Sequence, residues 1–189
     1  MRTRTIASLV TLLGAFALPA WADEYVDATK VFQDAGQSGA YFKNSYGYAV
    51  FPTIGKAGVG VGGAHGSGRV YEKGAYVGDT KMTQLTIGFQ LGGQAYSQII
   101  FFENKKAFDD FTSGNFEFSA QATATAITAS ASAQATTTGT GAGASSKASN
   151  ATTAGTGYQN GMAVFTVAKG GLMYEASIGG QKFSYKANK

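Results

Sequence analysis

The chain opens on a short basic stretch, Met1-Arg2-Thr3-Arg4, followed by an apolar run from Ile6 to Leu18 and then Pro19-Ala20-Trp21-Ala22. The run is shorter than the roughly 20 residues that a membrane-spanning helix needs. A positive start, a short apolar run and small residues at Ala20 and Ala22 are the layout of a secretory signal peptide cleaved after Ala22. Beyond it, Tyr25, Ala28, Val31, Phe32 and Ala35 recur at spacings of three and four, which predicts a helix over Asp23 to Gly36. Asp23 can cap that helix, Glu24 and Asp27 suit its N-terminus, and Gly36 is a stop. A second short helical piece is read over Ser38 to Asn44.

From Tyr46 the period changes to two. Tyr46, Tyr48 and Val50 alternate with Gly47 and Ala49, and Phe51-Pro52 is read as the end of that run. In the glycine-rich stretch next in the chain, Ala57, Val59 and Val61 share one face, and Gly58, Gly60 and Gly62 the other. A strand with one bare face points to a bend or to close approach of another backbone. Arg69 to Lys73, Ala75 to Lys81, Gln84 to Leu91 and Tyr96 to Phe102 are further strand candidates, split by Gly74 and Gly92-Gly93. The last, rich in β-branched and aromatic residues, reads as central. Asn104 to Phe111 reads as a short amphipathic helix capped by Asn104 and ended near Gly114. Phe116 to about Ala131 alternates with Phe116, Phe118, Ala120, Ala122, Ala124 and Ala126 on one face. The segment 136–157 is Thr, Gly, Ala and Ser almost throughout and reads as a low-complexity loop. Tyr158 to Ala168 and Leu172 to Tyr185 supply closing strands. The order predicts a single α+β domain over 23–189, with a mainly antiparallel, curved β-sheet or partial barrel plus short amphipathic helices.

Composition narrows the chemistry. The 189 residues include 27 Gly, 1 His and no Cys. Without Cys there is no disulfide framework, thiolate metal site, Cys nucleophile or lipid attached at a Cys. A single His makes a Ser-His-Asp triad or a multi-His metal site a poor fit. Gly58-x-Gly60-x-x-Gly63 spells a dinucleotide fingerprint, but it runs into another Gly-rich turn and a strand, not the helix that would receive a pyrophosphate. There is no P-loop and no nucleophile elbow. Asp109 and Asp110 are neighbours on a predicted helix and point about 100° apart, so they read as a solvated face beside Lys105 and Lys106. His65, alone among glycines, reads as a solvated turn residue, and the sequon Asn150-Ala151-Thr152 carries little weight in a bacterial-looking export. No catalytic residue, metal or cofactor is expected.

The formal net charge of +4 falls by two when Arg2 and Arg4 leave with the signal peptide. Lys43, Lys56, Arg69, Lys73, Lys81, Lys105 and Lys106 lie in or beside the Gly-rich region. Basic residues at strand ends commonly guard against aggregation. Their other use is a patch that meets phosphate headgroups, with Tyr and Phe at the interface level.

The string Gly47-Tyr48-Ala49-Val50-Phe51-Pro52-x-x-Gly55-Lys56-Ala57-Gly58-Val59-Gly60-Val61-Gly62-Gly63-x-x-Gly66-x-Gly68 resembles the opening of the SYLF, or Ysc84, domain. Thr86 to Ser97, Ile99 to Phe102 with Lys106-Ala107-Phe108-x-x-Phe111, Phe116 to Ala126, and Lys169-Gly170-Gly171-Leu172 resemble later segments of that family. The resemblance covers roughly Ala40 to Ile178. It implies lipid binding, of phosphoinositides in eukaryotic members, through an amphipathic N-terminal segment and basic residues; some members also bind actin. It implies no enzyme activity. Two features depart from the family. The helix Asp23 to Gly36 is net acidic, which an anionic surface would repel. The family's Gly-Pro-x-Gly stretch is replaced by the Thr/Gly/Ala tract. By position, Lys43, Lys56, Arg69 and Lys73 are the residues expected to contact headgroups.

The expectation is therefore a non-enzymatic periplasmic lipid-binding protein whose partner is an anionic phospholipid or membrane surface. Nucleic acid is not an expected partner, and export removes actin. Two alternatives stand beside it: an integral outer-membrane β-barrel, which would also show Gly- and Tyr-rich alternating strands, and a structural or stress-related envelope protein that self-assembles through its Ala/Thr tract.

Overall fold

A computed structural model describes residues 23–88, 94–127, 157–169 and 176–189. The signal-like start 1–22, Gly92-Gly93, Gly170-Gly171 and all but the last residue of the low-complexity segment 136–157 lie outside the described residues. Three helices come first, α1 (Asp23–Asp34), α2 (Gly36–Gly39) and α3 (Tyr41–Asn44). Three long strands come next, β1 (Gly47–Glu72), β2 (Ala75–Gly88) and β3 (Gln94–Phe102). After them come α4 (Lys105–Thr112), β4 (Phe116–Glu117), β5 (Thr123–Ile127), β6 (Met162–Lys169), β7 (Ala176–Ser177) and β8 (Lys182–Ala187).

β1 organises the rest. Straight, its 26 residues would reach about 85 Å. Instead the Lys73 N–H donates to the Tyr46 carbonyl at 3.0 Å, so the two ends of the strand meet. Its first arm, Gly47 to Lys56, pairs with β3, and its second arm, Gly60 to Glu72, pairs with β2. The arms touch where side chains are missing. A Cβ on Gly66 would stand 2.6 Å from Ile54 Cγ1 and 3.0 Å from the Thr53 carbonyl oxygen. One on Gly68 would stand 2.6 Å from the Phe51 ring and 2.8 Å from the Val50 carbonyl oxygen. Gly66 and Gly68 fall on the same face as Gly58, Gly60 and Gly62, and there the bare face is a close approach of the strand to itself.

Pro52 does not end the strand. The register shifts between Phe51 and Ile54, and the chain continues through a bulge that spares the imide nitrogen a ladder bond. The Ser97 hydroxyl donates to the Pro52 carbonyl at 2.6 Å there. The sheet runs β4-β8-β2-β1-β3-β6-β5-β7 and is antiparallel except for β5 beside β6. It curls into a half-barrel. Its open side is bridged by the segment 116–124 running along 176–183, through the β4–β8 and β5–β7 pairs and the Phe118–Gln181 and Ala122–Ile178 bonds between them. The expected α+β class with a mainly antiparallel, curved sheet is what is found.

Both faces of the sheet are buried around β3. Ile100 and Phe102 join an inner cluster with Phe51, Met82 and Phe183, and α4 adds Ala107, Phe108 and Phe111. Ile99 and Phe101 point the other way, into a second cluster beneath α1–α3 with Phe32, Phe165 and Val167. A strand buried on both faces loses its polar alternation, which is why β3 reads as a continuous apolar run. Inside the curl, Gln98 and Gln181 exchange amide hydrogen bonds at 2.9 and 3.1 Å, and Gln181 also donates to the Tyr96 hydroxyl at 3.2 Å.

The alternation from Phe116 does not form one strand. It breaks into β4 and β5 around a turn in which Ala122 N–H donates to the Ser119 carbonyl at 3.0 Å, because Phe118 is already bonded to the closing segment. Ala120 is accordingly exposed, off the face that alternation assigned it. β6 starts at Met162 and not at Tyr158, since Asn160 and Gly161 form a left-handed turn, with φ of 51° and 77°. Asp109 and Asp110 pair with Lys105 and Lys106 at 2.7 Å on the exposed face of α4, as their spacing suggests.

Gly68→Ala is expected to lower stability by about 1–3 kcal/mol through overpacking. Gly55→Ala, where a Cβ meets nothing within 4 Å, should change it little. Urea midpoints of the two variants make the comparison.

Candidate functional site

α4 packs on the inner face of the sheet and α1–α3 on the outer face. α1 packs on β1 and β3, and its first turn reaches Arg69 on the second arm of β1, which leaves the outer face of β2 and β8 beside it open. Period-two alternation turns Val70, Thr80, Met82, Gln84 and Phe183 inward and presents the intervening residues to solvent. Cross-strand register sets them in rows: Arg69, Asp79 and Lys186; Ser67, Lys81 and Ser184; His65, Thr83 and Lys182. Beyond the last row stand Leu85, 84% exposed, and Val61, 69% exposed, the two most exposed large apolar side chains among the described residues. Lys182 approaches Glu117 at 3.5 Å on the same surface, an exposed pair of little energetic weight. A face carrying Arg69, Asp79, Lys81 and Lys186 is not the apolar band that a membrane-spanning barrel turns to lipid.

The four residues expected at a headgroup site do not form one patch. Lys43 is exposed near the end of α3. Lys73 occupies the left-handed turn after β1, its ammonium 5.2 Å from the centre of the Tyr46 ring. Lys56 pairs with Gln94 at the far end of the first arm, about 30 Å of strand from Tyr46 and Lys73. Partial burial pulls its ammonium below the ordinary lysine value. Arg69 stands on the second arm of β1, with its guanidinium 4.2 Å from the Tyr25 ring centre and 5.3 Å from that of Tyr76. Lys182 and Lys186 were missed. Their signal is the spacing Lys182-x-Ser184-x-Lys186, which puts both on one face of a strand.

Arg69 stands beside a row of tyrosines. Tyr48 and Tyr71 stack at 4.9 Å between ring centres, and Tyr71 meets Tyr76 at 6.0 Å. Burial, with the neighbouring Tyr71, pushes the Tyr48 hydroxyl up to about 12. Burial and then the hydrogen bond to Asp79 push Tyr76 up to about 12 as well. These rings stay neutral at any physiological pH and act through their faces.

A half-curled sheet with one helix-covered and one bare outer face is a frame for binding at a surface. Comparison with known proteins gives it a family. The Ysc84 family model, described as Las17-binding protein actin regulator, matches residues 83–189. The chain belongs to this family, also called SYLF, which is linked to lipid and actin binding. Beta cell expansion factor A of Aeromonas veronii is 27% identical over 163 residues, which cover 82% of this chain and 51% of that protein. The chain thus spans about half the length of this curated relative. Membership points to lipid binding or a related role.

The raised tyrosines fix a pH dependence. Below pH 10 folded and unfolded chains both hold the phenolic protons, and stability is complete. Between pH 10 and about 12 only the unfolded chain releases them, so stability falls as pH rises. Tyr48→Phe should flatten that fall in urea melts taken across this range.

Proposed function

We propose that this chain is a non-enzymatic lipid-binding protein, exported to the periplasm and peripheral to a membrane there, that meets anionic phospholipid headgroups with its bare sheet face. The observation that carries the reading is the placement of Lys81, Lys182 and Lys186 on adjacent strands beside exposed Leu85 and Val61. Lysines near an anionic surface contribute about 1 kcal/mol each, and neighbouring apolar side chains add burial at the headgroup boundary. Arg69 shares this face, Lys43 and Lys73 extend the basic character beyond it, and Lys56 contributes least because it is half-buried. Of the acids of α1, Glu24 reaches the Arg69 end of this face, where it accepts from the Thr53 hydroxyl at 2.6 Å and stands 4.0 Å from the Lys169 ammonium.

Family membership supports the lipid part of this reading, and the signal-like start supports export. The actin regulation named in the family's description needs a partner that an exported chain does not meet. The absence of Cys and the single His support a binding role over catalysis.

Flotation with phosphatidylglycerol vesicles tests the surface. Binding is expected at low salt, weaker at moderate salt, and reduced about a hundredfold when Lys81, Lys182 and Lys186 are all changed to Gln. A folded chain that fails to float at either salt contradicts the proposal. Edman sequencing of the exported protein should start at Asp23; retention of 1–22 or recovery in the cytoplasm contradicts the location.

A further inference from the structure

Beneath the first turn of α1, where it crosses the two arms of β1, lies a cleft of about 440 Å³. Glu24 and Tyr25 line it from the helix, Thr53 from the first arm, His65, Ser67 and Arg69 from the second, and Asp79 from β2. Residues 65, 67 and 69 alternate along one strand, so their side chains leave the same face.

The charges in this cleft are paired in an unusual way. Arg69 and Asp79 are direct cross-strand partners, the placement in which an arginine and an aspartate ordinarily join. Here they do not. The Asp79 carboxylate accepts the Tyr76 hydroxyl at 2.8 Å, and the guanidinium is held against the Tyr25 and Tyr76 rings. Among the described residues Arg69 has no hydrogen bond or ion pair. Its in-plane N–H groups and the second Asp79 oxygen are therefore both without a partner there. Glu24 is differently placed: it accepts from the Thr53 hydroxyl at 2.6 Å and stands 4.0 Å from the Lys169 ammonium. The cleft thus offers one cation and one anion, both unpaired among the described residues, on neighbouring strands whose Cα atoms lie about 5 Å apart.

We propose that this cleft binds a small zwitterion in which a phosphate and an ammonium are joined by a two-carbon link. The phosphate sits on Arg69, with the Ser67 hydroxyl as a further donor, and the ammonium sits on Asp79. A two-carbon link keeps both ligand charges within reach of side chains on two adjacent strands, and a planar guanidinium pinned on its faces keeps its edge free for phosphate oxygens. Tyr76 is a positioning residue, because its hydroxyl holds Asp79 out of a closed pair with Arg69. The cleft adjoins the lysine surface, since Asp79 pairs in register with Lys186 and Ser67 with Lys81, but its ligand is argued from Arg69 and Asp79 and not from the lysines.

Calorimetric titration of the exported chain with phosphoethanolamine tests this, with inorganic phosphate and ethanolamine as the two half-ligands. Phosphoethanolamine should bind at millimolar concentration or below, and each half-ligand at least tenfold more weakly. Arg69→Gln and Asp79→Asn should each weaken it about tenfold or more, the cost of one or two charge-assisted hydrogen bonds. Tyr76→Phe keeps both charges but lets them close on each other, and should also weaken it. Thermal melts verify that each variant is folded. Asp79→Asn separates the alternatives by sign: a plain anion site would bind more tightly once the carboxylate is gone, and that result overturns the proposal. So does equal affinity for inorganic phosphate, or no binding of phosphoethanolamine to the folded chain. Flotation with neutral vesicles of phosphatidylcholine and phosphatidylethanolamine then identifies the source. Arg69-dependent binding to these vesicles as well as to the free compound assigns the cleft to a lipid headgroup; binding to the free compound alone assigns it to a soluble zwitterion, and both uphold the site. Lys182→Gln, two rows along the face from Asp79, should leave the phosphoethanolamine titration unchanged.

Discussion

The structure depends on one close contact, that of β1 with itself. A strand can double back only if its two arms can lie together, and side chains ordinarily keep packed strands apart. Gly66 and Gly68 remove that obstacle where Thr53, Ile54, Val50 and Phe51 come nearest. Once the arms are together, the first presents its free edge to β3 and the second to β2, and the curl of the sheet is set. The inner cluster around Phe51, Met82 and Phe183 fills the hollow that this curl creates. The cleft beneath α1 is a by-product of the same contact, because it forms where the helix spans the two arms.

Much of the fold is readable in the sequence, and the failures have local causes. The spacing of Tyr25, Ala28, Phe32 and Ala35 marks α1, and Asn104 marks the start of α4, where its side-chain oxygen accepts the Ala107 N–H at 3.0 Å. These signals are carried by residues close in sequence. Pro52 is misread because a proline in a strand is a stop signal unless a bulge receives it, and the bulge is set by pairing with β3, far along the chain. The run from Phe116 is misread because alternation shows which face a residue can take but not where a turn interrupts it. The curved, mainly antiparallel sheet follows from the order of elements, and the bare glycine face points to a bend or a close approach, but nothing local names the strand's own first arm as the partner of that face.

The candidate site was less readable than the fold. Position along the Gly-rich stretch placed Lys43, Lys56, Arg69 and Lys73 together, but a strand that spreads them over about 30 Å separates them. The residues that do share a face, Lys81 with Lys182 and Lys186, are distant in sequence and meet only through the pairing of β2 with β8. Arg69 was singled out as one basic residue among several. Its distinction is contextual: two tyrosines hold it, and the aspartate opposite is turned to another donor. Membership of the Ysc84 family is carried by long strings of small and apolar residues, which specify this packing more than they specify any ligand.

The bridged opening of the half-barrel has a consequence in time. β2, in the first half of the chain, takes as its outer neighbour β8, which ends two residues before the C-terminus, and Gln98 finds its amide partner at Gln181. Contacts between such distant parts of the chain close slowly, because the loop entropy is lost before the contacts can offset it. A ribosome still holding β8 therefore holds back completion of the sheet. The growing polypeptide stays an open, unfinished structure until β8 is released. In the export proposed above, that delay would keep the chain in a form that can still be threaded through a membrane.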